Sequence, residues 1–257
     1  MNRMPRPRAA KVPEVALTFW IIKIAATTLG ETGGDALSMT LNLGYAVSTA
    51  IFALLFVVLV AAQIAASSFR PALYWAVIVA TTLVGTTIAD FCDRSLGVGY
   101  PGGSTILLAL VLLVLAVWHW SVGTVSVSDI RTPRAEAFYW ATILASNTLG
   151  TALGDWLADS GPGYEGGALV FGTALAVVAL LYYRTSLSRT LLFWTAFILT
   201  RPLGATLGDT LTKPVAAGGL HLGRFASSTV IAVFIVGLVV ILPQRAGSHP
   251  GSSATAP

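Results

Sequence analysis

FWIIKIAATTLGETGGD (residues 19–35), YWAVIVATTLVGTTIAD (74–90), YWATILASNTLGTALGD (139–155) and FWTAFILTRPLGATLGD (193–209) are one phrase written four times. Each copy opens on an aromatic-Trp pair and carries Gly ten residues after the Trp (Gly30, Gly85, Gly150, Gly204). Each closes on Asp fifteen residues after the Trp (Asp35, Asp90, Asp155, Asp209), with no insertion in any copy. Asp fills about 3% of positions in this chain, so four at one spacing mark an internal repeat.

Composition decides where those acids lie. The chain is 55% hydrophobic and 10% charged over 257 residues, with a mean hydropathy of +0.79. Its apolar runs predict eight membrane spans, at 16–38, 45–66, 72–93, 103–121, 137–158, 167–184, 190–212 and 225–243, each near the ~20 residues a spanning helix needs. The fold class read from this pattern is an all-α polytopic membrane protein, four parallel two-helix repeats around a pseudo-symmetric axis. The repeats cover about 15–66, 72–121, 137–184 and 190–243 of a single transmembrane domain, 15–243. The flanks, 1–14 and 244–257, rich in Pro, Arg, Ser, Ala and Gly, are expected to be disordered.

Basic residues give the orientation. Arg3, Arg6, Arg8, Lys11, Arg70, Arg131, Arg134, Arg184, Arg189 and Arg245 fall on one side of the predicted spans, against Arg94, Lys213 and Arg224 on the other. By the positive-inside rule both termini are cytoplasmic. The net charge of +4 is then a topology signal, with no nucleic-acid patch. The lone Cys92 excludes an internal disulfide.

The two spans of a repeat differ. The second is nearly free of polar residues and is expected to face lipid; the first carries a polar stripe and is expected to face the protein interior. Positions three, seven, eleven and fifteen after each Trp, four residues apart, follow that stripe. They pass Lys23, Ile78, Ile143 and Phe197, then Thr27, Thr82, Asn147 and Arg201, then Glu31, Thr86, Thr151 and Ala205, and end on the four Asp. Fifteen residues rise about 22 Å, which puts the Trp near the inner interface as an anchor and the Asp in the outer third of the membrane. The glycines allow close helix packing or a locally unwound helix whose carbonyls bind an ion, with Pro202 favouring the second in the fourth repeat. Leu43-Gly44-Tyr45, Val98-Gly99-Tyr100 and Pro162-Gly163-Tyr164, with Leu222-Gly223-Arg224 divergent, read as hairpin turns.

Within these spans Glu31 and the four Asp outnumber Lys23 and Arg201. Carboxylates crowded together in a low dielectric share protons or a cation. The reading is therefore a gradient-driven secondary transporter, of a hard divalent metal and/or proton-coupled. Asp35, Asp90, Asp155, Asp209, Glu31, Thr27, Thr86, Asn147 and Thr151 form the ion site, the four Asp serve as metal ligands, and Lys23 and Arg201 are counter-ions. The alternative is a non-transporting structural or accessory protein whose acids only hold helices together. Whether the four Asp converge on one point or form two pairs stays open. The expected partners are the lipid bilayer and a small ion or small-molecule substrate. No resident cofactor is expected beyond a bound divalent cation. Walker, His-Glu-x-x-His and Gly-x-Ser-x-Gly motifs are absent, so no enzyme activity is expected.

The four tandem repeats, each with its aromatic-Trp pair and its run to Asp, resemble a family of bacterial integral membrane proteins built from a repeat of unknown function, the uncharacterised membrane-anchored proteins. The resemblance spans roughly 15–243 and implies an eight-span protein of the bacterial inner membrane. Reporter fusions at Pro257 and in the hairpin near Gly161 are expected to report opposite sides of that membrane; reports from the same side would refute the topology.

Overall fold

A computed structural model describes residues 11–127, 130 and 132–247. Among them are eight long α-helices: α1 (Leu17–Asp35), α2 (Gly44–Ala65), α3 (Pro71–Asp90), α4 (Tyr100–Val122), α5 (Pro133–Asp159), α6 (Gly163–Arg184), α7 (Arg189–Thr212) and α8 (Arg224–Ile241). π-helical turns prolong α1 over Ala36–Thr40 and α3 over Phe91–Ser95. Local chemistry sets the boundaries. Pro71 and Pro133 open α3 and α5, where a missing N–H costs nothing. Thr132 and Ser188 cap α5 and α7, accepting from the amides of Ala135 and Leu191. In the hairpins Gly44, Gly99 and Gly163 take φ of 74°, 74° and 68°, open to glycine at little cost. Gly223, in the divergent phrase, has φ −61°.

The odd-numbered helices form the inside. α1 packs on α3, α3 on α5, α5 on α7 and α7 on α1, closing a ring. Each even-numbered helix lies outside, against the inner helix of the next repeat: α2 on α3, α4 on α5, α6 on α7, and α8 back on α1. The outer helices bury few of their side chains, and the apolar surface left open is the lipid-facing surface of a multi-pass membrane protein. Six helices, α2, α3, α4, α6, α7 and α8, are long and apolar enough to cross a membrane. α1 and α5 fall short of that measure. They carry Lys23, Glu31, Asn147 and Asp155, and the ring buries all four.

The ring closes at three levels, the first two with the same logic in every repeat. At the end where the termini lie, the first aromatic of each pair meets the Trp of its neighbour. Phe19 lies 5.5 Å from Trp75, Tyr74 5.5 Å from Trp140, Tyr139 6.2 Å from Trp194, and Phe193 5.8 Å from Trp20. Trp75, Trp140 and Trp194 are buried. A neighbouring helix covers these three rings, and Trp20 stays half-buried. Each such pair contributes about 0.5–1.5 kcal/mol beyond its buried area.

One level further in, each repeat glycine faces the residue seven after the next repeat's Trp. Gly30 abuts Thr82, Gly85 abuts Asn147, Gly150 abuts Arg201 and Gly204 abuts Thr27. The closeness admits side-chain bonds to neighbouring backbone: Thr82 Oγ1 donates to Ala26 O at 3.0 Å, Thr86 Oγ1 to Gly30 O at 3.1 Å and Thr27 Oγ1 to Thr200 O at 3.1 Å. The glycines therefore serve close packing. α7 runs through Pro202 without a break, so the unwound-helix alternative is not what the fold adopts.

The flanks also differ from expectation. Residues 1–10 and 248–257 lie outside the described residues, but 11–14 and 244–247 are paired. Glu14 N donates to Arg245 O at 3.0 Å and Gly247 N to Val12 O at 2.8 Å, and Val12 is buried in the core.

A methyl group at Gly204 would collide with Thr27, whereas one at Gly172, in outer helix α6, would meet nothing within 4 Å. Gly204→Ala is expected to cost about 1–3 kcal/mol through overpacking. Gly172→Ala is expected to be neutral or stabilising by up to about 1 kcal/mol. Thermal unfolding in detergent compares the two, and equal effects would refute the packing described.

Candidate functional site

The third level of the ring is polar. Asp35, Asp90, Asp155 and Asp209 end the repeat phrase at corresponding positions on the four inner helices, at the end opposite the termini, and each is buried. They form two pairs, each spanned by one base. Arg94 reaches Asp90 at 2.8 Å and Asp155 at 3.0 Å. Lys213 reaches Asp209 and Asp35 at 3.2 Å each, and Arg224 adds a contact to Asp35 at 3.4 Å. One pair thus joins the second and third repeats, and the other joins the fourth and first.

Of the two expected counter-ions, Arg201 serves as one, to Glu31 and not to an Asp. Among the described residues it pairs with Glu31 at 3.1 Å and donates to Thr86 Oγ1, whereas Lys23 meets no acid. Lys23 donates to Asn147 Oδ1 at 3.2 Å and stands 4.1 Å from the centre of the Phe197 ring. Asn147 passes a bond on to Thr81 Oγ1 at 2.9 Å. Lys23 and Asn147 therefore belong to the layer between the aromatics and the acids. Thr27 and Thr151 hydrogen-bond to backbone carbonyls, Thr27 across to Thr200 and Thr151 to Asn147.

The true partners of the Asp are Arg94, Lys213 and Arg224, which sequence reasoning assigned to the outer side. Their signal was present. Arg94 and Lys213 each stand four residues after a repeat Asp, on the same helix face, where the other repeats have Met39 and Asp159. Arg224 occupies the place of Tyr45, Tyr100 and Tyr164. Each of the five acids Glu31, Asp35, Asp90, Asp155 and Asp209 thus has a basic partner, supplied by Arg201, Arg94, Lys213 and Arg224, so the acid excess inferred from the spans alone is met by bases just beyond them.

Lys213 lies just past the end of α7. Burial alone would lower its pKa, but the carboxylates of Asp209 and Asp35, helped by Glu31, outweigh that and raise it above the ordinary lysine value. Its contribution to stability is therefore fully present below the unfolded lysine pKa of about 10.4 and fades only as pH climbs beyond it.

The acids do not form one four-Asp cluster. Glu31, Asp35 and Asp209 each offer a carboxylate oxygen, and these oxygens lie within 4.8 Å of one another. Three hard oxygen donors suit Mg, Mn or Ca better than a soft metal. Asp90 and Asp155 stand outside this triad. Within the described residues, Asp35 Oδ1 and Asp155 Oδ1 are buried and accept no hydrogen bond. A carboxylate oxygen left so loses solvation without repayment.

The family of the Repeat of Unknown Function (DUF347) matches this chain four times, at residues 18–69, 73–124, 138–188 and 192–244. The chain belongs to that family. No curated protein and no solved structure matches it.

Glu31→Gln and Arg201→Gln are each expected to destabilise by about 3–5 kcal/mol, because either leaves a buried charge alone. The double variant is expected to lose much less than the sum. Lys23→Met combined with Asp35→Asn is expected to be additive, and the reverse pattern in the two cycles would refute the pairing.

Proposed function

We propose that the protein is a gradient-driven secondary transporter of a cation, with Glu31, Asp35 and Asp209 as the ligands. The observation that carries the reading is the three buried carboxylate oxygens within 4.8 Å of one another, inside a closed ring of membrane helices. Buried ionisable groups at membrane depth are costly and concentrate on ion pathways. In this reading Lys213 fills part of the cation's place when the site is empty, because its ammonium already bridges Asp35 and Asp209. An arriving cation displaces it, and the net charge of the site changes less than a bare acid cluster would require. Asp90, Asp155 and Arg94 form the companion pair across the ring. In this reading both termini lie on the cytoplasmic side and the buried acids nearer the outer side.

A second reading is favoured by the bases themselves. Every repeat Asp has a basic partner, as acids that only hold helices together in a structural or accessory protein require.

Thermal stability of the purified protein in detergent, titrated with Mn, Mg, Ca and Zn, separates the two. A cation carrier shows a saturable upward shift, about 2.7 kcal/mol at a hundred times Kd. Asp35→Asn and Asp209→Asn abolish that shift while the protein stays folded. If wild type shows no shift, and Asn is tolerated where Asp→Leu destroys the fold, the packing reading holds.

A further inference from the structure

The polar contacts divide the ring into two halves. At the acid end the inter-repeat ion pairs stay within a half. Arg94 to Asp155 ties the second repeat to the third, and Lys213 and Arg224 to Asp35 tie the fourth to the first. Among the described residues, no ion pair at that end crosses from one half to the other.

At the termini end the pattern reverses. Lys11, just ahead of α1, reaches Glu136 in the first turn of α5 at 2.6 Å, and both are buried. The same ammonium donates to the carbonyls of Gln63, Ile64 and Ala66, at 3.0, 2.9 and 3.1 Å, where α2 ends against α3. Gln63 Nε2 returns a bond to Lys11 O at 3.2 Å. Gln244, just after α8, accepts from Trp75 Nε1 of α3 at 3.4 Å. The two tails are joined to each other by the Pro13–Ala246 bridge. Segments carried by the fourth and first repeats thus grip the second and third. Between the two ends the halves meet through hydroxyl-to-carbonyl bonds and glycine contacts, such as Thr86 to Gly30 and Gly150 against Arg201, through the bonds of Arg201 to Thr86 Oγ1 and Lys23 to Asn147 Oδ1, and through the outer helices α2 and α6, which lie against α3 and α7.

We propose that the joined tails, latched by Lys11 and Glu136, are a gate at the termini end. Engaged, the latch holds the halves together there and keeps the aromatic layer closed. Released, it lets them tilt apart about the glycine level while the acid-end ion pairs keep each half intact. The latch takes its purpose from the transport reading, but the labelling arm of its test does not depend on transport.

The test uses the full chain in lipid vesicles, with Cys92→Ala and a reporter Ile78→Cys in the core beneath Trp75. A water-soluble maleimide applied from the termini side is expected to label the reporter about tenfold faster or more when Lys11→Met and Glu136→Gln remove the latch. Glu136→Gln alone, which keeps the side chain's shape, reads the same effect if the double variant does not fold. Labelling as slow as with the latch intact overturns the gate. In parallel, Lys11→Cys with Glu136→Cys is bridged by a reducible bis-methanethiosulfonate, and Mn uptake is followed. Uptake blocked by the bridge and restored by dithiothreitol supports the gate, whereas uptake indifferent to the bridge overturns it. Accelerated labelling without Mn, Mg or Ca uptake in any variant, wild type included, retires the transport reading and leaves the latch standing.

Discussion

The whole assembly depends on how closely two inner helices can approach. At the level of Gly30, Gly85, Gly150 and Gly204 a helix backbone comes against the side chain or backbone of its neighbour, with no room for a Cβ. Without that approach Thr82 and Thr86 could not reach the carbonyls of Ala26 and Gly30. Lipid gives helices no hydrophobic reason to associate, so backbone proximity, dispersion and interhelical hydrogen bonds hold them. Because each contact runs from one repeat to the next, and from the fourth back to the first, no repeat is a self-sufficient unit. At the junction of the fourth repeat with the first, residues 12–14 pair with residues 245–247.

Closure then creates an electrostatic problem that the sequence solves unevenly. The ring brings four aspartates to one level and removes them from water. Only the second and fourth repeats carry a base four residues later, and each base serves two acids, its own and the next repeat's. The fourfold repeat of the backbone becomes a twofold arrangement of charge. Glu31 and Arg201, each the only charged residue at its repeat position, face one another, so the extra acid and the extra base enter as a couple.

Much of this was legible because the repeat is regular. Four phrases without an insertion give helix number, direction and the buried face, and the predicted spans fall on the observed helices. What the periodicity does not carry is the identity of the neighbour. A Trp at the end of an apolar run is an interfacial anchor unless another helix covers it, and only the closed ring shows that Trp140 lies against Tyr74. The charge pairing failed for a related reason. Counting ionisable groups span by span drew a line before Arg94 and Lys213, although one more helical turn places them beside their Asp. Residues 11–14 read as a polar tail by composition, yet Lys11 satisfies the exposed carbonyls at the end of α2, which a hydropathy pattern does not reveal.

The inequality between the two charged junctions bears most directly on what the acids do. If helix packing were their whole role, one guanidinium between two aspartates, as at the junction of the second and third repeats, would serve equally between the fourth and first. That second junction instead gathers three acids and three bases, and a single flexible lysine spans its aspartates where its counterpart has a planar, forked arginine. An ammonium on a four-carbon stem holds its carboxylates at one point and gives up little geometry when it leaves, whereas arginine clamps by shape. Of the two junctions, the oxygen triad lies at the lysine-spanned one, where a carboxylate loses the least fixed geometry if its base is replaced.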